Sequence, residues 1–358
     1  MPGSGYYADR AVVRWGIIGC GDVTEVKSGP GFRKASGSQL VAVMRRTRTL
    51  AADYARRHGV SRWYHQADAL IADPGVDAVY IATPPDTHAA YALAVAAARK
   101  PAYVEKPMAR HAAECDAMVE AFERAKLPLF VAYYRRRLPC FLKVEEILKA
   151  GVLGRVTGVT YRLAEPHHRK GEQWRTDASV SGAGHFLDVG SHALDLLDYL
   201  LGPLTGISGT AANLASAYEP EDTVALSFRT AGGAPGSMAC NFASAIRDDT
   251  MRITGTDAEL TFPVYRSEPF RLNRASGEQV FDLPYPPHVA QPLIQSIVDD
   301  LLGRGVCPST GESARRTSRV MDHVLEGYYG GRTDAFWKRM ETWPGRRSRS
   351  APASERGC

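Results

Sequence analysis

An acid and an imidazole stand four positions apart in an otherwise apolar stretch of this chain. Asp188 and His192 fall within residues 187–201, where apolar residues recur at helical spacing, and Asp195 follows three positions later. A helix would place the three side chains on one face. Buried ionisable groups are costly unless they are paired or used, and histidine is the side chain best suited to exchange a proton near neutral pH. The pattern therefore indicates either acid-base catalysis or a structural hydrogen bond inside a core.

A lysine marks a second candidate position. Tyr103-Val104-Glu105-Lys106-Pro107 ends a short apolar segment, and Pro107 restricts Lys106 to an extended conformation. Open α/β sheets bind ligands at the carboxyl ends of their parallel strands. An ammonium group there can hydrogen-bond a reacting oxygen and stabilise the charge that develops on it. An ordinary exposed lysine at a strand end is the alternative.

Glycines near the start of the chain have the spacing of a phosphate-binding turn. Gly19-Cys20-Gly21-Asp22-Val23-Thr24 directly follows an apolar segment and leads into a helical one. Glycines in that position let the backbone approach a pyrophosphate, which rests on the helix N-terminus. Thr24 departs from the usual final Gly or Ala, and Gly29-Pro30-Gly31 weakens the helix that should follow. A tight turn that binds nothing stays open as the second interpretation.

The end of the next apolar segment bears on the choice of cofactor. Dinucleotide folds distinguish NAD from NADP about twenty residues after the glycine turn, where an acid binds the ribose diol and an arginine binds the 2′-phosphate. This chain has Arg45 and Arg46 there. We therefore predict NADP as the cofactor, with NAD as the alternative, unless the two arginines are only a solvated strand end.

The secondary-structure elements that must position these residues show two different patterns of apolar residues. Residues 12–18, 40–44, 78–82, 102–104 and 129–132 are short apolar strands, and helical patterns between them cover 49–58, 67–71, 87–98 and 112–126. This alternation predicts a doubly wound parallel sheet. After about residue 150, alternating runs at 156–162, 223–228 and 237–242, together with helices at 187–201, 288–302 and 311–329, predict an α+β domain built on an open, mostly antiparallel sheet.

Composition excludes several classes of protein. The six cysteines are scattered without metal or disulfide spacing, no apolar run is long enough to span a membrane, and the N-terminus does not resemble a signal peptide. We therefore expect a cytoplasmic protein without a metal site. Part of the net charge of +5 comes from residues 344–356, which we expect to be a solvated tail and not a nucleic-acid site. His167 and His168 follow a strand but lack metal-ligand spacing.

The motifs together resemble the glucose-fructose oxidoreductase, inositol dehydrogenase and MocA-like (Gfo/Idh/MocA) family. Its signature is a glycine turn, then a T-P-x-x-x-H segment, here Thr83-Pro84-Pro85-Asp86-Thr87-His88, and E-K-P about twenty residues further on. The resemblance covers roughly residues 12–330. It implies an NAD(P)-dependent oxidoreductase that transfers hydride to or from a sugar, polyol or related hydroxy or keto compound. A non-catalytic dinucleotide-binding regulator or scaffold of the same fold is the alternative.

The resemblance also assigns roles to individual residues. His192 would be the general acid and base, Asp188 a substrate ligand that also supports the histidine's charge, and Lys106 the group that binds the reacting oxygen, with Asp195 a weaker, structural candidate. Cofactor contacts are expected from Gly19, Gly21, Asp22, Val23, Arg45, Arg46, Thr83, Pro84, His88, Glu105 and Lys106. Substrate contacts are expected from Tyr134, Arg135, Trp174, Asp188 and His192. His88 could equally be a first-turn helix residue, and Trp174 could equally anchor a loop.

The expected organisation has three parts. Residues 10–132 form a dinucleotide-binding domain, residues 133–340 a substrate-binding and oligomerisation domain whose last helices pack back on the first, and residues 341–358 a disordered basic tail. The resemblance implies a homodimer or homotetramer through the open sheet. The substrate's identity and the direction of the reaction stay open, because the same groups serve both directions.

Overall fold

The computed structural model describes residues 3–166 and 173–346, so His167 and His168 lie outside the described residues. Its first half is a six-stranded, wholly parallel sheet in the order β3-β2-β1-β4-β5-β6. The strands are β1 Val13–Ile18, β2 Ser38–Met44, β3 Arg62–Tyr64, β4 Ala78–Ile81, β5 Ala102–Val104 and β6 Leu129–Val131. This order is that of a Rossmann fold, which confirms the predicted doubly wound sheet.

Helices cover both faces of this sheet, and this is why its strands β4, β5 and β6 are apolar. They are α1 Asp22–Val26, α2 Gly29–Lys34, α3 Arg48–His58, α4 Ala67–Ala72, α5 His88–Ala97 and α6 Ala112–Ala125. All four residues of β4 and all three of β5 are buried. Strand β3, a three-residue edge strand that is only partly covered, was not predicted from the sequence.

The second half is an eight-stranded sheet in the order β14-β13-β12-β11-β7-β10-β9-β8, in which only β7 and β10 are parallel neighbours. Three helices, α7 Pro139–Lys149, α8 Ala178–Ser181 and α9 Ser191–Leu201, belong to this half. Its strands are β7 Val156–Pro166, β8 Thr205–Ala212, β9 Thr223–Arg229, β10 Pro235–Ser244, β11 Asp248–Gly255, β12 Glu259–Phe262, β13 Phe270–Arg274 and β14 Gly277–Phe281. Alternate residues of β9 are buried and exposed, which confirms the predicted one-sided sheet.

The last two long helices connect the halves. Helix α10, Gln291–Leu301, packs against α2 and buries Ile294 and Ile297 in the same core as Trp15 and Phe32 of the first half. Helix α11, Gly311–Tyr329, lies along β8, α9 and α6. The first core is therefore completed by a segment that follows the second sheet in sequence.

The ordered chain continues past residue 340, where the sequence analysis expected a disordered tail to begin. Trp343 is buried, and its indole N–H donates to the Phe336 carbonyl at 2.9 Å while its ring packs on Tyr329. Arg346 pairs with Glu219 at 2.7 Å. Residues 347–358 lie outside the described part of the chain.

Two further features concern the described residues alone. The cysteines at positions 20, 115, 140, 240 and 307 are free and buried. Among the helices in residues 3–166 and 173–346, none is both long and apolar enough to cross a membrane.

Candidate active site

The glycine turn lies at the carboxyl edge of the first sheet. The amides of Gly19 and Cys20 donate to the Met44 carbonyl at 2.9 and 3.2 Å, so the turn is bound to the end of β2. Gly19 has φ of +92°, and a Cβ there would lie 2.7 Å from the side chain of Thr83. A Cβ on Gly21 would meet no atom within 4 Å, because Gly21 borders open space. Glycine is therefore required sterically at 19, whereas at 21 it leaves room for a ligand.

The first helix after the turn is short, as Gly29-Pro30-Gly31 led us to expect. Thr24, which replaces the usual final Gly or Ala, is buried and donates to the Gly21 carbonyl at 2.8 Å. Helix α1 ends at Val26, and a Cβ on Gly29 would lie only 2.1 Å from the Thr24 carbonyl oxygen. A threonine can therefore occupy the position of the usual final Gly or Ala, because α1 ends at Val26 and no long helix follows.

A cavity of about 520 Å³ extends from the glycine turn toward the end of β2. Arg45 and Arg46 line it, and the Arg45 guanidinium donates to the Cys20 carbonyl at 3.3 Å. The other predicted cofactor residues that line it are Gly19, Gly21, Thr83 and Pro84, and Trp174 forms part of the far wall. The structure thus brings the two arginines and the turn to one cavity.

His88 does not line this cavity, contrary to the role that the resemblance implied. The ring is fully buried, with Nε2 2.7 Å from the Thr83 carbonyl and Nδ1 3.1 Å from the Pro107 carbonyl. Burial lowers its pKa, although these carbonyls act in the opposite direction. His88 therefore joins the T-P turn to the E-K-P turn, and its effect on a bound cofactor would be indirect.

A second cavity of about 330 Å³ shares Gly21, Thr83, Pro84 and Trp174 with the first. Lys106, from the end of β5, and Asp188 and His192, from the second half of the chain, all line it. The structure therefore brings the three predicted catalytic residues together. Asp22, Val23, Glu105 and Tyr134 line it as well.

Glu105 forms the floor of this second cavity. Tyr80, which is fully buried in β4, donates its hydroxyl proton to Glu105 at 2.5 Å, and the Lys106 amide donates to the other carboxylate oxygen at 3.2 Å. Burial raises the pKa of Glu105 despite these hydrogen bonds. The Glu105 side chain thereby fixes the backbone on which Lys106 stands.

Lys106 is bound by Asp188 across the two halves of the molecule. Its ammonium donates to an Asp188 carboxylate oxygen and, at 2.9 Å, to the Asp188 carbonyl. The guanidinium of Arg175 donates to the second carboxylate oxygen at 3.1 Å. Burial would raise the pKa of Asp188, but Lys106 and Arg175 outweigh it and hold the pKa below its usual value. Asp188 is therefore an ionised bridge between two cations.

His192 lies in the first turn of α9, and its ring faces aromatic side chains. The structure gives edge-to-face contacts with Tyr133, Tyr134 and Tyr265 at centroid distances of 5.8, 5.4 and 6.1 Å. Burial is the main reason that its pKa lies well below the usual value, and the charges of Arg135, Lys106 and Lys27 lower it further. The imidazole is therefore neutral at neutral pH.

One expected contact is missing: no hydrogen bond joins Asp188 to His192 within the described residues. A π-helical turn, Phe186–Gly190, precedes α9, so the two residues are not on a regular α-helix as the sequence analysis assumed. Both oxygens of the Asp188 carboxylate are already bound by Lys106 and Arg175. Asp188 thus supports the lysine and not the histidine.

Asp195 lies outside the cavity and forms a buried ion pair in the second half of the chain. It is 1% exposed and accepts from Arg136 at 2.8 and 2.7 Å. Arg136 also faces Asp198 at 3.5 Å. Asp195 is therefore one part of a buried ion network.

We predict that Asp195→Asn destabilises the protein without abolishing its chemistry. Removal of one charge leaves Arg136 incompletely balanced in a buried site, which should lower the free energy of unfolding by about 3 kcal/mol. Chemical denaturation measures this loss, and turnover per folded molecule should stay close to that of the unchanged protein. A folded, stable variant without turnover would instead place Asp195 in the reaction.

Tyr134 and Arg135, the two substrate residues predicted after β6, point in different directions. Tyr134 lines the second cavity, and the charges of Arg135, Lys27 and Lys106 outweigh burial to hold its pKa below the usual value. Arg135 does not line either cavity and donates instead to the Val264 carbonyl at 2.8 Å. The structure therefore does not bring Arg135 to the cavity with the other predicted substrate residues. Adjacent residues of a 3₁₀ turn point in different directions.

Trp174 lines both cavities, as the interpretation of a pocket cap requires. The guanidinium of Arg175 lies 4.3 Å from the centre of its ring. Arg175 thus connects the indole to Asp188 and Lys106. The short 3₁₀ turn Gln173–Thr176 carries both residues to the cavity.

Lys27 was not predicted from the sequence as a site residue. It follows α1, lines the second cavity and lowers the pKa of His192. Its signal in the sequence was a cation directly after a short helix that follows a glycine turn. Because surface lysines are common in such loops, nothing in the sequence alone distinguishes this one.

Comparison with known proteins identifies the family of the chain. Residues 13–133 match the family model described as oxidoreductase family, NAD-binding Rossmann fold, and residues 141–261 match the GFO/IDH/MocA C-terminal domain. Oxidoreductase P35 of Formosa agariphila is 35% identical over 315 residues, which cover 87% of this chain and 97% of that protein. The chain belongs to the Gfo/Idh/MocA family. It is therefore an oxidoreductase with an NAD-binding fold, which confirms the resemblance seen in the sequence.

More distant relatives extend over most of the chain. The 1,5-anhydro-D-fructose reductase of Ensifer adhaerens is 25% identical over 307 residues, 84% of this chain and 91% of that protein. A solved structure of levoglucosan dehydrogenase in complex with NADH and levoglucosan has a TM-score of 0.79 at 22% identity and covers 88% of this chain and 96% of its own. The aldose-aldose oxidoreductase of Caulobacter crescentus, complexed with glycerol, has a TM-score of 0.80 at 22% identity, with 88% and 97% covered. These two structures share the fold.

Proposed function

We propose that this oxidoreductase transfers hydride between a nicotinamide dinucleotide and a carbinol or carbonyl carbon of a sugar, a polyol or a related hydroxy or keto compound. The observation that carries the proposal is one cavity, lined by Lys106 from the first half of the chain and by Asp188 and His192 from the second. It opens beside Gly21, where a dinucleotide pyrophosphate would rest. The names of the anhydro-D-fructose reductase and the levoglucosan dehydrogenase support a sugar-like substrate.

The residues present fit a dinucleotide. The two cavities share Gly21, Thr83 and Pro84, and together they extend from Arg46 to His192. Gly21 leaves the space beside it open, as the close approach of a phosphate requires. The arginine end would hold the adenosine portion and the His192 end the nicotinamide, which supplies or accepts the hydride when bound.

Three side chains of the protein would bind the reacting oxygen of the substrate and transfer its proton. Lys106 would donate a hydrogen bond to the reacting oxygen and stabilise negative charge on it. Asp188 keeps the ammonium of Lys106 directed into the cavity and offers an acceptor to a neighbouring substrate hydroxyl. His192, neutral because of its lowered pKa, accepts the hydroxyl proton in oxidation and returns a proton in reduction.

A substrate panel tests this proposal. Sugars, polyols, anhydrosugars and their keto forms are each incubated with NAD(H) and NADP(H), and the nicotinamide absorbance is followed. Turnover of at least one polyhydroxylated compound is expected. Dinucleotide binding without turnover of any panel member would favour the non-catalytic alternative.

We further propose that NADP is preferred, because Arg45 and Arg46 line the cavity where the 2′-phosphate would lie. Arg46→Ala should lower kcat/KM for NADP about tenfold and leave that for NAD little changed, because one charge-assisted contact is lost. Arg48→Ala is the matched control, since Arg48 is exposed on α3 and does not line the cavity. A tenfold preference of the unchanged protein for NAD would contradict the NADP assignment.

The oligomer proposal concerns the uncovered face of the second sheet. Ala225, Ser237 and Ala239 are small, exposed residues of this face, and they border a depression of about 490 Å³. The small side chains, beside the charged Arg162, Asp248 and Arg252 that also line the depression, leave room for contact with a second copy of the sheet. We propose a homodimer or homotetramer of a cytoplasmic enzyme. Ala239→Arg should lower the mass measured by light scattering, and an unchanged mass would exclude this face as the interface.

We also propose that the chain is divided into the two domains predicted from its motifs. Residues 10–132 bind the dinucleotide, and residues 133–340 bind substrate and form the interface. The ion pair of Lys106 with Asp188 lies where the two meet. Domain-wise proteolysis with mass spectrometry of the fragments would locate the boundary.

A further inference from the structure

Two neighbouring buried arginines follow β6, and only one of them is balanced by acids. Arg136 pairs with Asp195 and faces Asp198. Arg135 is 4% exposed, yet it forms no ion pair within the described part of the chain. Its Nε donates to the Val264 carbonyl, and its Nη1 has no hydrogen-bond partner. Because a buried, unbalanced cation is costly, its presence needs a reason.

The position of Arg135 relates it directly to His192. Its guanidinium carbon lies 5.0 Å from the centre of the Tyr134 ring and 4.4 Å from that of Tyr265. The same two rings pack edge-to-face against His192 at 5.4 and 6.1 Å. Arg135 and His192 thus contact the same two tyrosine rings, and a charge acts strongly over such distances in a buried, poorly polarisable surrounding.

We propose that Arg135 is a positioning residue, whose buried charge acts together with burial to keep His192 unprotonated in the resting enzyme, so that the ring is free to accept a proton from a substrate hydroxyl. The catalytic consequence rests on the proposed function, whereas the effect on His192 does not. Arg135 acts through the field of its charge, since it does not line the cavity itself.

The other groups around His192 do not cancel this charge. On its own segment, Asp188 is bound by Lys106 and Arg175, and Asp195 is bound by Arg136. Facing it from other elements are three tyrosines, an acid and two lysines, namely Tyr133, Tyr134, Tyr265, Glu105, Lys106 and Lys27. Arg135 is the strongest of the cations that lower the pKa of His192, and also of those that lower the pKa of Tyr134.

Arg135→Met tests the inference, because methionine has a comparable length and leaves no acid without its partner. Removal of a positive charge should raise the pKa of both His192 and Tyr134. An NMR titration of the His192 ring protons, in protein without substrate, should move upward by about one pH unit. The tyrosinate absorbance that is lost in Tyr134→Phe should shift in the same direction. Arg135→Gln repeats the measurement, and Arg135→Lys, which keeps the charge, should restore the titration of the unchanged protein.

A control separates this effect from ordinary destabilisation. Arg332 is also buried, pairs with Asp322 at 2.7 Å and does not line the second cavity, so Arg332→Gln should lower stability without moving the titration of His192. If the His192 titration in Arg135→Met or Arg135→Gln coincides with that of the unchanged protein, the inference is overturned. If the titration shifts but no substrate of the panel is turned over, the effect of Arg135 on His192 stands, while its catalytic consequence fails together with the proposed function.

Discussion

Replacement of Lys106 by methionine should lower kcat by about 10²–10³-fold, the usual effect of losing one preorganised donor to a developing oxyanion. The ammonium is held by Asp188 at the carboxyl end of β5 and points into the same cavity as His192. Its loss removes a positive charge from the place where the substrate oxygen would become negative. Dinucleotide affinity, measured by fluorescence titration, should stay within about threefold, because the pyrophosphate site at Gly21 is untouched.

Lys100 offers the matched control. It precedes β5, at the opposite end of the strand from Lys106, and its ammonium donates to the Asp73 carbonyl at 2.7 Å. Lys100→Met should therefore affect stability and not the chemical step. Equal loss of kcat in both variants, or full activity in Lys106→Met, would remove the role assigned to Lys106.

Replacement of His192 by asparagine should lower kcat by about 10²–10⁴-fold and should also change its dependence on pH. Because burial and nearby cations place the pKa of His192 well below its usual value, the imidazole remains neutral through the neutral range. Alcohol oxidation, which needs the neutral base, should then stay level through neutrality and fall only at acidic pH. Carbonyl reduction, which needs the protonated ring, should accelerate as the pH falls.

In His192→Asn both of these dependences should disappear from the residual rate. His323→Asn is a suitable control, since this exposed histidine of α11 faces the Ile207 carbonyl and lies outside the cavity. An acidic limb that persists unchanged in His192→Asn would assign the titrating group elsewhere.

Much of the fold could be predicted because burial leaves a strong pattern in a sequence. Helix α11 and strand β5 have the predicted bounds, since each is a clear periodic or apolar run between breakers. Strand β3 has three residues, too few for any period to be recognised. Strands β8 and β11–β14 were not predicted, because their alternation of buried and exposed residues is broken by polar side chains and lacks the continuous apolar character of the first sheet.

The site was predictable as a set of residues and not as a set of contacts. Motif spacing indicated that Lys106, Asp188 and His192 belong together, and one cavity contains them. The partner of Asp188 could not be predicted, because a π-helical turn redirects it from the histidine to a lysine 82 positions away. The inward direction of His88 and Arg135 likewise depends on neighbours that are remote in sequence.

Helix α10 has a consequence for the synthesis of the protein. Trp15 and Phe32 are covered by Ile294 and Ile297, which the ribosome adds more than 250 residues later. When the first sheet leaves the ribosomal exit tunnel, the apolar surface around Trp15 and Phe32 is therefore exposed to water. It stays exposed while the entire second sheet is translated. A chaperone that shields this surface during elongation would raise the yield of native enzyme, and an amino-terminal fragment made alone would aggregate unless a peptide with the sequence of α10 were added.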